Sequence, residues 1–319
     1  MLASPVHMHI PDGFLTPAVA ALGWALAIVM IVVALRQTRR QLDDRMVPMM
    51  GVLAAFIFAA QAINFPVAAG TSGHLIGAAL AAIVLGPWAA MLIMTSVLAV
   101  QGLLFQDGGL LVMGWNILNM GVIAGFSGYF AYRLARRWAG ESRVGVLAAS
   151  FAAGWISVVL AAVACAIELA ASGTSPLALA VAAMGSVHAL IGLGEGAITA
   201  AAIGLLLATR PELLKLDRPA PGLRTATLVL IGLGAALLVA AFSPLASPSP
   251  DGLEAVARRQ GFLGMEQAAP FHVLPGYTVP FIAHPALTTV IAVMIGTLVV
   301  FGGAVVVGRL AARRGAASS

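Results

Sequence analysis

Nine stretches of this chain hold almost nothing but apolar residues, and that pattern restricts the fold more than any other feature. They lie at about 17–35, 46–65, 74–86, 88–106, 110–135, 144–171, 178–209, 224–243 and 281–308. A helix needs about 20 residues to cross a bilayer. The chain is 61% hydrophobic and only 9% charged, which excludes a water-soluble globule. In lipid only helices or closed barrels satisfy the backbone, and these runs lack strand-like alternation. The pattern therefore predicts an all-α polytopic membrane protein of about nine transmembrane helices. The third run is short and meets the fourth at Gly86-Pro87, so the two are expected to form a tight hairpin.

Charge gives the topology. With the N-terminus outside, the inner loops hold Arg36, Arg39, Arg40 and Arg45, then Arg133, Arg136, Arg137 and Arg143, then Arg210, Lys215, Arg218 and Arg224. The C-terminal tail, placed in the cytoplasm, holds Arg309, Arg313 and Arg314, and only Arg258 and Arg259 fall outside. This matches the positive-inside rule. Short basic clusters between apolar spans explain the net charge of +5 without a nucleic-acid partner. The Pro-rich charged string at 210–223 reads as a cytoplasmic linker between a seven-helix part, 1–209, and a two-helix part, 224–319. No cleavable signal peptide is expected, because no basic region precedes the first run. The single cysteine, Cys165, excludes an internal disulfide framework and makes a thiolate cluster a poor reading.

Two short motifs carry the chemistry: Met8-His9-Ile10-Pro11-Asp12-Gly13-Phe14-Leu15, and Thr71-Ser72-Gly73-His74-Leu75. A histidine in second place in a mature chain offers its imidazole nitrogen, its own amide nitrogen and the preceding α-amine as fused chelate rings. His74, on the same outer side, offers a fourth nitrogen. Four nitrogens in a plane suit Ni(II) or Cu(II) better than tetrahedral Zn(II). The expected ligands are thus Met8, His9 and His74. Asn64, Asp12 and Ser72 are the polar residues expected around them, Asp12 as a support for the turn through Pro11 and Gly13. Forming an amide–metal bond releases a proton, so capture should weaken at low pH.

These motifs resemble the CbiM/NikM family, the substrate-capturing membrane subunits of energy-coupling-factor transporters for cobalt and nickel. Members of that family begin Met-His-Ile-Pro-Asp-Gly, whereas seven residues precede Met8 here. The chelate needs a free Met8 amine, so the mature chain is expected to begin at Met8. The string from Val187 to Gly196, with His188 and Glu195, also resembles the family. Seven residues apart, His188 and Glu195 share one helix face. They read as helix-locking polar groups rather than an ion relay, with Glu168, Asn116, Asn119 and Gln101 as possible partners. Ser249-Pro250-Asp251-Gly252-Leu253-Glu254 resembles the Pro-Asp-Gly-Leu-Glu signature of the small CbiN/NikN auxiliary subunits, and implies that such a subunit is fused here. A short outer helix at about 250–260, capped by Ser249 and ended by Gly261, is expected there.

The only lysine, Lys215, is followed by leucine, so no phosphate-binding loop of the usual kind exists. The resemblance implies a separate transmembrane coupling subunit and cytoplasmic ATPase subunits, with the chain in the bacterial inner membrane. It also implies small-residue helix faces, such as Gly121/Gly125 and Gly192/Gly196, for docking. Ni(II) or Co(II) is then bound as substrate, with no resident cofactor. Nickel is favoured by the fused arrangement and the planar donor set. The alternative is a cobalt importer serving cobalamin synthesis, and more remotely an ATP-independent channel or secondary transporter. An intramembrane hydrolase lacks its paired aspartates or nucleophile–base pair.

Overall fold

The computed structural model describes residues 8–39, 46–68, 70–214 and 225–313. Arg40, Arg45, most of the linker with Lys215, Arg218 and Arg224, and Arg314 lie outside the described residues. The helices are α1 (Pro17–Arg39), α2 (Met46–Gln61), α3 (Ala78–Leu85), α4 (Pro87–Val100), α5 (Met113–Ile117), α6 (Ala124–Ala139), α7 (Arg143–Ala171), α8 (Leu177–Thr209), α9 (Thr225–Ala241), α10 (Gly252–Gln260) and α11 (Pro285–Arg313). Wide π-type turns continue α4 over Gln101–Phe105 and join α5 to α6 over Leu118–Ile123. One two-residue hairpin ladder pairs β1 (Phe65–Pro66) with β2 (Ser72–Gly73).

Among the described residues five helices are long and apolar enough to cross a membrane: 17–39, 87–105, 143–171, 177–209 and 285–312. Two more, α2 and α9, are apolar but shorter. Each large apolar run contains a helix, yet the third differs from the expectation. Only eight residues of it are helical, about 12 Å at 1.5 Å per residue, well short of a ~30 Å hydrocarbon core. Its apolarity reflects burial inside the protein: Ala78 to Ala82, Val84 and Leu85 are all buried. It meets α4 at Gly86, whose φ of 88° reverses the chain, with Pro87 opening α4.

Large apolar side chains point outward along the long helices, among them Leu22, Ile28 and Val29 on α1 and Leu190, Leu193 and Leu205 on α8. Bilayer lipid is the solvent that makes such a surface stable. The small-residue faces are used inside the chain. A Cβ on Gly196 would lie 2.7 Å from the Phe151 carbonyl oxygen and one on Gly192 3.0 Å from the Trp155 ring, both on α7. Gly121 and Gly125 lie against Met91 and Ala90 of α4. These faces, expected to dock a coupling subunit, therefore seat α8 on α7 and the α5–α6 segment on α4 through close dispersion contact. From the second part, α9 and α11 pack on α2, with Gly232 against Val52 and Gly296 against Phe58.

Candidate metal-capture site

The chain tucks its own N-terminal strand into the helical body. Met8, His9, Ile10 and Asp12 are all buried, His9 to 3% exposure. A buried segment without regular secondary structure must find partners for its amides and carbonyls. Asn116 on α5 supplies two for Ile10, accepting from its N–H and donating to its carbonyl, both at 3.1 Å. Gly109 N donates to the same carbonyl at 2.9 Å. Asp12 accepts from the amides of Leu110, Leu111 and Val112 at 2.9–3.2 Å. Asp12 was expected to brace its own turn; it instead binds the segment leading into α5, three amide donors that a carboxylate satisfies well. The turn carries a 3.5 Å bond from Phe14 N to Pro11 O and a φ of 94° at Gly13.

At the strand's end, Met8 N and His9 Nδ1 converge on one oxygen. Asp107 Oδ1 accepts from them at 2.8 and 3.0 Å. His9 Nε2 is buried without a hydrogen-bond partner among the described residues. Its ring lies 5.6 Å from that of His74, tilted by 53°. With nitrogen–metal bonds of about 2 Å, rings this close have room for one ion between them. Both face a cavity of about 70 Å³ shared with His188, Asn119 and Asp251. Among the described residues no group of three or more His, Cys, Asp and Glu side chains has metal-holding geometry. The expected donor set is of another kind, two imidazoles completed by backbone nitrogens.

The loop carrying His74 is fixed from two sides. Glu195 accepts from Ile76 N at 2.6 Å and Gly77 N at 2.9 Å, and Gln61 Nε2 donates to Ile76 O at 2.9 Å. Glu195 thus locks helix to loop, and does not pair with His188. His188 Nδ1 donates to Met184 O within its own helix, and its Nε2 edge faces Gly252. Glu168 binds Asn119 at 2.9 Å, and Gln101 binds Gln61, so neither hydrogen-bonds His188 or Glu195. Removing a carboxylate that serves two buried amides should cost about 3 kcal/mol or more. Glu195→Ala is therefore expected to lower the thermal unfolding midpoint in detergent and release the His74 loop to proteolysis.

Among the described residues, the hydrogen bonds of Ser72 and the Asn64 carbonyl run to the second part of the chain rather than to the imidazoles. They hold the second part of the chain: Ser72 N donates to Pro250 O and its Oγ to Ser249 O, while Asn64 O accepts from Ser247 N. The helix starts at Gly252, so the cap of α10 is Asp251, not Ser249. Its side chain accepts from Glu254 N at 2.7 Å, and Gly261 ends the helix. Burial raises the Asp251 carboxyl to about 7, against the opposing effect of the Glu254 amide. Glu254 pairs with Arg258 one turn on. Asp107 was missed in the sequence. Its signal was weak but present: an acidic residue in Gln106-Asp107-Gly108-Gly109, at the end of an apolar run, in a chain with 12 acidic residues.

A helical membrane body that threads a segment preceding its first helix beside a second, partly buried histidine defines a class: multi-pass membrane proteins with an internal pocket lined by that segment. Residues 9–213 match the family model CbiM, cobalt uptake substrate-specific transmembrane region, and residues 226–313 match the PDGLE domain. The chain belongs to the CbiM family of nickel and cobalt transport membrane proteins, and carries a PDGLE domain in the same polypeptide. A putative fused nickel transport protein NikMN of Archaeoglobus fulgidus is 37% identical over 296 residues, 92% of this chain and 95% of that protein. A cobalt transport protein CbiM of Sorangium cellulosum is 34% identical, over 67% of this chain and 99% of its own. A crystal structure of a truncated transition metal transporter is similar with a TM-score of 0.57 and 34% identity, covering 63% of this chain and 99% of that one.

Proposed function

We propose that this chain is the substrate-capturing membrane component of an ATP-driven energy-coupling-factor importer in the bacterial inner membrane, with Ni(II) as its preferred ion. The observation that carries the reading is the convergence of Met8 N and His9 Nδ1 on one Asp107 oxygen, with the His9 ring 5.6 Å from the His74 ring. A chelate ring that includes the His9 amide nitrogen can be closed only by Nδ1 of the same ring, and Nδ1 is the nitrogen turned toward Met8 N. Met8, His9 and His74 then supply four nitrogens, a set that suits Ni(II). Residues 1–209 form the capture part and 224–319 the auxiliary part, with about nine spans, the N-terminus outside and the C-terminus in the cytoplasm. Energy comes from separate ATPase subunits through a transmembrane coupling subunit, because the only lysine lies outside any phosphate-binding loop. The cobalt transport relatives favour Co(II) as the second reading.

The test is intact mass together with metal content. Purified protein should begin at Met8 and bind one equivalent of Ni(II), more tightly than Co(II) at equal free concentration. A mass that retains Met1 to His7 with nickel at full occupancy would sink the chelate. Tighter cobalt binding would select the second reading.

A further inference from the structure

The side-chain contacts of Asp107 run well beyond His9. Its Oδ2 accepts from the Tyr277 hydroxyl at 2.6 Å. Tyr277 belongs to the PDGLE domain, far from the N-terminal strand in sequence. Its hydroxyl also accepts from Gln101 Nε2 at 3.4 Å. Gln101 Nε2 donates to Gln61 Oε1 at 2.9 Å, and Gln61 Nε2 donates to Ile76 O at 2.9 Å. One continuous hydrogen-bonded chain therefore joins the loop that carries His74 to the strand that carries His9, and the PDGLE domain supplies a link in it.

The backbone at both ends of the Tyr277–Asp107 bond is held in an uncommon shape. Tyr277 has φ 59° and follows Gly276 at φ 57°, while Gln106, just before Asp107, has φ 55°. A left-handed conformation at a bulky residue is strained and persists only where the surroundings impose it. The Tyr277 ring stacks on Phe105 at 4.6 Å and 13°. Burial, with the Asp107 carboxylate beside it, raises the phenol well above its usual pKa, so it stays a neutral donor. Stacking and hydrogen bond together aim the hydroxyl at the carboxylate.

We propose that Tyr277 is a positioning residue for the capture site: by fixing Asp107 it sets where Met8 N and His9 Nδ1 converge, so the PDGLE domain tunes ion affinity from within the same chain. This rests on the reading of Met8, His9 and His74 as the site. Loading replaces the protons that Met8 N and His9 Nδ1 now donate to Asp107 Oδ1, so Asp107 acts on the empty site, holding the two nitrogens together before the ion arrives. Phenylalanine at 277 keeps the stack on Phe105 and removes only the hydroxyl.

The experiment uses the full chain in detergent, with Ni(II) alone as the probe, in a double-mutant cycle. Tyr277→Phe is expected to weaken Ni(II) binding about tenfold and shift the absorption bands of the bound ion. In an Asp107→Ala background it should cost nothing further. Where Tyr277→Phe yields no folded protein, Gln101→Met cuts the chain one link earlier and is read by the same cycle. Wild-type affinity and spectrum for Tyr277→Phe, while His74→Ala loses the ion, would overturn the proposal alone. So would full additivity of the Tyr277 and Asp107 effects. Undiminished binding by His74→Ala would overturn the site itself, and this inference with it.

Discussion

His74→Ala should abolish tight nickel binding, lowering affinity by more than about 100-fold. Loss of a residue that merely orients a ligand costs about 10–100-fold, and His74 is proposed as a ligand itself. Its side chain touches the His9 ring and the cavity, whereas the loop is anchored at Ile76 and Gly77 by Gln61 and Glu195. The substitution therefore deletes a donor and leaves the anchors of the loop in place. Equilibrium dialysis against Ni(II), with unfolding followed in parallel, separates loss of the donor from loss of the fold. His272→Ala is the control: His272 lines a different cavity, near Pro11 and Gln267, and should bind as wild type does.

Gly108→Ala is expected to be nearly as severe, although it removes no functional group. A Cβ there would lie 2.8 Å from His9 Cβ and 3.2 Å from Asn116 Nδ2, and Gly108 has φ 93°. Overpacking costs about 1–3 kcal/mol, and the left-handed backbone of a non-glycine residue of order 1–3 more. The easiest relief is for the N-terminal strand to move outward, carrying His9 from His74. Nickel occupancy at one equivalent of metal should fall several-fold while the helical bundle stays folded. Gly70→Ala isolates the cause. Gly70 has φ 70° but nothing within 4 Å of its added Cβ, so it bears backbone strain without crowding. If Gly70→Ala impaired binding as much as Gly108→Ala, crowding of His9 would not be the reason.

Several parts of the molecule were legible in the chain itself. Apolar runs locate helices because lipid offers the backbone no other partners, and the Gly86-Pro87 turn follows from what each residue does to φ. The paired motifs around His9 and His74 could be read as one site because charge placed both on the same side. Other parts were not legible. The buried α3 and a spanning helix have the same apolar composition, since protein interior and lipid exclude charge alike. Hydrogen-bond partners such as Asp12 with Leu110 to Val112, or Asn116 with Ile10, join residues about 100 positions apart, and no local pattern encodes them.

Composition and short motifs determined that this is a helical membrane protein and pointed to His9 and His74 as candidate nitrogen donors, because period, charge and donor type are local properties of sequence. Only the tertiary structure decided that Asp107 stands where Met8 N and His9 Nδ1 meet, and that Tyr277 of the other domain holds it there. Those contacts depend on how separate helices pack, and packing is settled by the whole set of surfaces at once.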